Sequence, residues 1–325
     1  MSEESAPDRH GVDRGRDATR PGDIPARGWR DVLARVRRRV ADDDLSIVAA
    51  GVAFYALLAT FPGLLALLTV YGIVFDPAQL AEHLNFLRGE LEPEANSLVV
   101  SLLRGLAESD RARAGFGVVG SALVTLWGAS LGLRALIRAL NVAYGERERR
   151  SVVHRYGLAL LLTMGAISAA FFIGLVLLSV PLVARWLELS DLLQRLAFYG
   201  RWPVVGLIFW LSLLVFYRYG PSRTPARWSW VGWGALLASA TWLAGTGVLA
   251  WYIAGSRRYQ LAYGSVGVVV LVLAWFLLSA FSVLLGAEVN AELERQTRQD
   301  TTAGDDKPAG ARGAAVADTV GNASP

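Results

Sequence analysis

The chain of 325 residues predicts an all-α integral membrane protein with six transmembrane helices, amphipathic interfacial helices and both termini cytoplasmic. Three observations predict it. Six apolar stretches hold no Asp, Glu, Lys, Arg or His in their interiors. The loops between them alternate between Arg-rich and Arg-poor, and tryptophans gather near the stretch ends at Trp186, Trp202, Trp228, Trp230 and Trp251, where amphipathic rings suit headgroup depth. A mean hydropathy of +0.38 fits the same class and excludes an ordinary soluble globule.

The spans read as residues 45–74, 115–133, 157–184, 202–217, 228–254 and 261–287, each near the ~20 residues that cross ~30 Å of hydrocarbon. The fourth is the shortest. Ten arginines precede the first span, among them Arg35, Arg37, Arg38 and Arg39. The second loop carries Arg134, Arg138, Arg147, Arg149, Arg150 and Arg155, and the fourth carries Arg218, Arg223 and Arg227 without an acid. The positive-inside rule assigns all three segments to the cytoplasm and the first, third and fifth loops to the outside. The location that follows is an inner membrane, crossed several times. The first 44 residues lack the short basic region and apolar core of a secretory signal, so the first span is expected to insert the chain itself.

Residues 1–27 and 296–325, rich in small and polar residues without periodicity, predict disordered cytoplasmic tails flanking a six-span domain over 45–295. Between the first tail and the first span, residues 28–44 predict a basic amphipathic helix. There Trp29, Val32, Leu33, Val36 and Val40 recur at helical spacing while arginines fill the other face, a pattern suited to an anionic leaflet. Outside, Leu80, Leu84, Leu87 and Leu91, then Leu98, Leu102 and Leu106, and again Leu189, Leu192, Leu193 and Leu196 form further apolar stripes. They either pack on the bundle and bilayer surface or line an outward cavity. Asp42, Asp43 and Asp44 read as a cap on the first span.

Within the spans, Gly165 with Ala169, Ala170 with Gly174, Gly234 with Ala238, and Ala49 with Ala53 have the small-xxx-small spacing that lets backbones approach in lipid. Self-association of the chain is left open. Pro62, after Thr60 and before Gly63, removes a backbone bond near the middle of span one and predicts a kink, which serves either architecture or a substrate path. The absence of intramembrane charge disfavours proton- or ion-coupled pumping. Polarity gathers instead at the cytoplasmic rim. Arg134, Arg138 and Asn141 share one face at the end of span two, and Glu288, Asn290 and Glu292 close span six. Either the two ends meet as an Arg–Glu pair, or free arginines form a basic pocket for anionic lipid head groups.

Four segments in order carry a family resemblance: AAGVAFYALLATFPGLLALL (49–68), LWGASLGLRALIRALNVAYGERERRS (126–151), FYRYGPSRTPARWSWVGWGALLASATWLAGTGVLAWYIA (216–254) and YGSVGVVVLVLAWFLLSAFSVLLGAEVNAELE (263–294). Together they resemble the YihY/BrkB family of bacterial inner-membrane proteins over most of residues 30–295. The resemblance implies a six-helix membrane protein, historically labelled ribonuclease BN or virulence factor BrkB, without a settled activity. The residues speak against the nuclease label. There is no cysteine, His10, His83 and His154 are scattered, and no acid cluster beyond the Asp run offers ligands for a catalytic metal. No basic groove with stacking aromatics suggests a nucleic-acid partner. No P-loop or dinucleotide fingerprint is present, and no cofactor is expected.

The reading favoured is a non-enzymatic handler or transporter of lipids or envelope amphiphiles, with Tyr55, Thr60, Pro62, Arg134, Arg138, Asn141, Glu288 and Asn290 as candidate lining residues. The alternative is a scaffold whose polar residues satisfy one another in a closed bundle. A channel for water-soluble solutes is disfavoured, because spans three, four and six lack polar rows.

Overall fold

A computed structural model describes residues 14–74, 116–187, 190–255 and 257–322. Seven helices dominate them: α1 (Ala26–Asp42), α2 (Leu45–Val74), α3 (Phe116–Ala143), α4 (Val152–Trp186), α5 (Asp191–Tyr219), α6 (Trp228–Gly255) and α7 (Arg257–Glu294). A short α8 (Ala315–Asp318) lies in the C-terminal segment. Among the described residues the only β pairing is an isolated bridge between Ala226 and Thr302. By length and composition, four helical stretches suffice to cross a membrane: Val152–Val180, Asp191–Tyr219, Trp228–Ile253 and Gly267–Glu294. A fifth follows if α1 and the first half of α2, bent by 63°, count as one broken span.

Several helices outrun the expected spans. α4 has 35 residues and α7 has 38, about 50 Å or more at 1.5 Å per residue, so both project beyond the hydrocarbon. α5 starts at Asp191 and absorbs Leu192, Leu193 and Leu196, so this outer stripe is the first turns of a span rather than a separate interfacial helix. The stripes expected between residues 80 and 106 lie outside the described residues. The helix of span one runs continuously through Pro62.

The Asp run sets the bend between α1 and α2. Asp43 ends α1 by donating its N–H to the Arg39 carbonyl. Asp44 takes a left-handed conformation, φ 46°, which aspartate tolerates better than most residues, and its carbonyl accepts from Ile47 and Val48 to start α2.

Helix α7 is the hub: α1, α2, α3 and α6 pack against it, while α4 joins the bundle through α3 and α5. The buried core sits at one end. Leu45 and Ala49 of α2, Ile137 and Leu140 of α3, Leu213 and Tyr217 of α5, Val231 and Ala235 of α6, and Leu284 and Ala287 of α7 meet there. Along the rest of the helices, large apolar side chains such as Leu161, Phe172, Val248 and Val268 are exposed, as lipid-facing surface should be. Trp186 and Trp251 are likewise exposed, but Trp230 is fully buried beneath α1 and is no belt residue.

Two seams bring backbones close. At α6 and α7, a Cβ on Gly286 would lie 2.5 Å from the Tyr217 hydroxyl and 2.8 Å from Ala238 Cβ, so Gly234, Ala238 and Gly286 form the expected close contact. At α2 and α3, a Cβ on Gly128 would meet Pro62 at 3.1 Å and one on Gly132 would meet the Ala56 backbone at 3.2 Å. Gly165 and Gly174 face open space, so within one chain they are not seams.

Two expectations are corrected. The apolar stripe of α1 does not lie free for a leaflet: Val32 and Val36 are buried with Trp230, Val289 and Leu293, and Trp29 stacks edge-on with Trp233 at 5.6 Å. Leu33 alone of that stripe is well exposed. The tails, where described, are ordered by packing. Thr297 donates to the carbonyls of Arg16 and Ala18, Gln296 donates to Arg14, and Arg16 donates to Gly321, so the two terminal segments bind each other. Arg312 donates to four carbonyls, those of Lys307, Gln299, Ala317 and Arg298. The segment also pairs with the loop before α6, through Arg227 N–H to Thr301 O and Thr224 N–H to Gly313 O. Burial opposes the charge of Asp300, but donors on Thr302 and Lys307 outweigh it and hold that carboxyl below its ordinary value. Composition implied disorder because apolar content is low; guanidinium-to-carbonyl bonds supply the order instead.

Candidate functional site

The rim of α3 carries the expected basic face. Arg134 lies nine residues before the end of α3, with its guanidinium 4.7 Å from the Trp127 ring centroid and 5.0 Å from that of Tyr156 on α4. One of its nitrogens donates to the Trp127 carbonyl at 3.3 Å, and its buried Nε has no partner. Arg134, Arg138, Glu148, Arg155 and Tyr156 line a shared recess of about 10 Å³, room for roughly one water. Among the described residues none of these three arginines forms an ion pair with a carboxylate.

The acid of the recess is already engaged. Glu148 accepts from Asn141 Nδ2 at 3.1 Å and from the Arg150 N–H at 3.1 Å. Burial raises the cost of its charge, and these donors outweigh that effect, holding Glu148 below the ordinary carboxylate value. Asn141 is thereby a brace. Its Oδ1 also accepts from Ser222 N–H at 2.8 Å, tying the loop before α6 to α3.

The other expected lining residues are not gathered here. Tyr55 is exposed on α2, and the Thr60 hydroxyl donates back to Ala56 of its own helix at 2.9 Å. Pro62 packs into the gap left by Gly128. Asn290 is buried and satisfied, accepting from Gly234 N–H at 2.8 Å and donating to the Val231 carbonyl at 3.2 Å. Glu288 is fully buried with neither oxygen hydrogen-bonded, and the charges acting on it are those of Asp43, Glu292, Arg39 and Arg295 rather than Arg134 or Arg138. The ends of spans two and six therefore do not meet through an Arg134–Glu288 or Arg138–Glu288 pair.

A buried pair that sequence reasoning missed fastens the same end of the bundle. Arg223, from the loop before α6, forks onto Glu294 at the end of α7 at 2.6 and 3.1 Å, both side chains fully buried. The Tyr144 ring lies 4.5 Å from the guanidinium, and Thr301 donates to the same carboxylate at 2.7 Å. Desolvation disfavours the Arg223 charge and the Glu294 carboxylate more than offsets it, so Arg223 stays ionised. Arg150 closes the loop by donating to the carbonyls of Tyr219, Gly220 and Pro221.

Among the described residues no three of His, Cys, Asp and Glu converge as ligands for a metal ion. What the arrangement offers instead is a set of guanidiniums beside apolar helix faces.

Residues 36–311 match the family model described as virulence factor BrkB. The ribonuclease-like protein YfkH of Bacillus subtilis (strain 168) is 28% identical over 259 residues, covering 77% of this chain and 90% of that protein. The UPF0761 membrane protein MS0032 of Mannheimia succiniciproducens is 26% identical over 259 residues, covering 78% of this chain and 86% of that one. The UPF0761 membrane protein azo3165 of Azoarcus sp. (strain BH72) is 29% identical over 284 residues, 85% of this chain and 67% of that one. No solved structure matches the chain. A match over most of the chain, with several apolar helices long enough to cross a membrane among the described residues, makes this protein a member of the BrkB family of membrane proteins.

Proposed function

We propose that this protein handles anionic lipids or envelope amphiphiles in the bacterial inner membrane, as a six-span bundle with both termini cytoplasmic and without enzymatic activity. The observation that carries the reading is the recess of Arg134, Arg138 and Arg155, whose acid Glu148 is bound elsewhere. A guanidinium held between two aromatic rings keeps its polar edge toward the interface, and its planar fork matches a phosphate. The recess is too small to enclose a head group, so the phosphate rests on the rim while acyl chains follow the exposed helix faces. The name ribonuclease-like is the Bacillus relative's own, and among the described residues of this chain no three of His, Cys, Asp and Glu converge as metal ligands.

A scaffold without transport is the second reading, favoured by the mutual satisfaction of Asn141, Asn290, Arg223 and Glu294. Mass spectrometry of lipids retained in mild detergent separates the two, comparing wild type with Arg134→Ala/Arg138→Ala. Selective enrichment of an anionic lipid that the variant loses is the expected result. The same unselective profile from both proteins favours the scaffold.

A further inference from the structure

A larger cavity, of about 510 Å³, opens between α1, the end of α7 and the C-terminal segment and shares no lining residue with the Arg134 recess. Arg35, Arg38, Arg39 and Asp42 enter it from α1, at the i, i+3, i+4 and i+7 positions of one helical face. Glu292 and Arg295 enter from α7, and residues 319–322 of the C-terminal segment close the remaining side. The wall is well fastened. Arg35 donates to Glu292 at 2.5 Å, to Gln296 at 2.7 Å and to the Asn322 carbonyl at 3.0 Å, while the Gly321 N–H donates to the Arg295 carbonyl at 2.9 Å.

The charges do not balance across this lining. Four guanidiniums face two carboxylates. Glu292 is consumed from both ends, Arg35 on one oxygen at 2.5 Å and Arg295 on the other at 2.6 Å. Arg39 reaches it only at 3.8 Å and Asp43 only at 3.9 Å, the limit of an ion pair, and Arg38 has no ion pair among the described residues. Asp43 and Glu288 act nearby but do not line the cavity. We propose that this cavity is a binding site for a phosphate monoester or diester, held by Arg38 and Arg39 with Arg35 and Arg295 fixed behind them. Two adjacent guanidiniums on one helix face, Arg38 without an ion pair and Arg39 only loosely paired, give charge-assisted, forked bonds to phosphate oxygens, and the ordered tail gives the site a wall that a bare basic helix lacks. The site goes beyond the rim reading above and stands whether or not Arg134 and Arg138 bind lipid.

Titration calorimetry on the full-length protein in phosphatidylcholine nanodiscs, at physiological salt to screen diffuse attraction, tests the site with inorganic phosphate and with dihexanoylphosphatidic acid as probes. Arg38→Gln/Arg39→Gln should weaken binding about tenfold or more. Arg30→Gln/Arg37→Gln, the same two-charge change on exposed residues of α1 outside the lining, should change it little. Tighter binding of the acylated probe identifies a lipid head group, and equal binding a free phosphate; both uphold the site. Equal weakening by the two variants, or no saturable binding of either probe to wild type, overturns it. Should Arg38→Gln/Arg39→Gln melt below wild type, Arg38→Gln alone, which removes no ion pair, carries the same comparison against Arg37→Gln alone.

Discussion

Arg223 and Glu294 show how much one buried pair can decide at the end of a membrane bundle. Their charges are wholly removed from water, which costs several kcal/mol per ion, and only the forked geometry with Thr301 and the Tyr144 ring offsets that cost. Removing one partner strands the other. Arg223→Ala should therefore lower stability by about 3–5 kcal/mol, read as an earlier thermal transition in detergent. Arg138→Ala, on an exposed side chain, should leave the transition near wild type. Equal transitions for both variants would mean that Glu294 finds a substitute donor. Arg223 was legible only as one of the topology-setting arginines and Glu294 only as the last residue of the family-like segment 263–294, and nothing in a linear pattern says that residues 71 apart face each other. The rim arginines were legible for a different reason: Arg134, Arg138 and Asn141 recur at helical spacing, and helices preserve spacing as geometry. The partners of Asn290 and the burial of Glu288 were not, because they depend on which helix lies alongside.

At the level of helices, the absence of charge was enough to place the apolar cores of α4, α5, α6 and α7, which are long and apolar enough to cross a membrane, and the structure moves mainly their ends. α5 starts earlier and α7 ends later because a helix continues as long as its backbone bonds are satisfied, whatever the hydropathy of its next turn. Small-residue spacing was a weaker guide. It marked Gly234 with Ala238, a true seam against Gly286, and also Gly165 with Ala169, which faces open space. The pair Gly128 and Gly132, where α3 packs closely on Pro62 and Ala56 of α2, carries the same four-residue spacing and could have been found by it. Gly286→Ala should thus cost on the order of 1–3 kcal/mol, since a methyl there collides with the Tyr217 hydroxyl and Ala238 in a packed seam. Gly165→Ala adds a methyl to open space and should be neutral or slightly stabilising through helix propensity. Thermal unfolding of the two variants side by side checks the seam, and equal stability would place the α6–α7 contact elsewhere.

Across the described residues, one end is polar, interlocked and buried, and the remainder of the helices is largely apolar and exposed. The terminal segments belong to the first part. Arg16 and Arg312 bind main-chain carbonyls, and Arg35 joins α1 to α7 and to Asn322, so the chain termini, α1 and the loops after α3 and α5 form one cap on the helices. Charge counting assigns every segment of that cap to the same side, which agrees with their being in contact: ten arginines before the first span, six after the second and three after the fourth would otherwise cross the membrane. The side itself is open to a direct experiment, because the chain contains no cysteine and any introduced thiol is the sole reporter. Asp318→Cys lies in the C-terminal cap and Trp186→Cys lies, highly exposed, at the opposite end of α4. In intact spheroplasts an impermeant maleimide should label position 186 and leave position 318 untouched until the membrane is opened. The reverse pattern would turn the cap outward and place both arginine sites on the outer leaflet; labelling of both positions in sealed cells would break the link between the cap and a single face of the membrane.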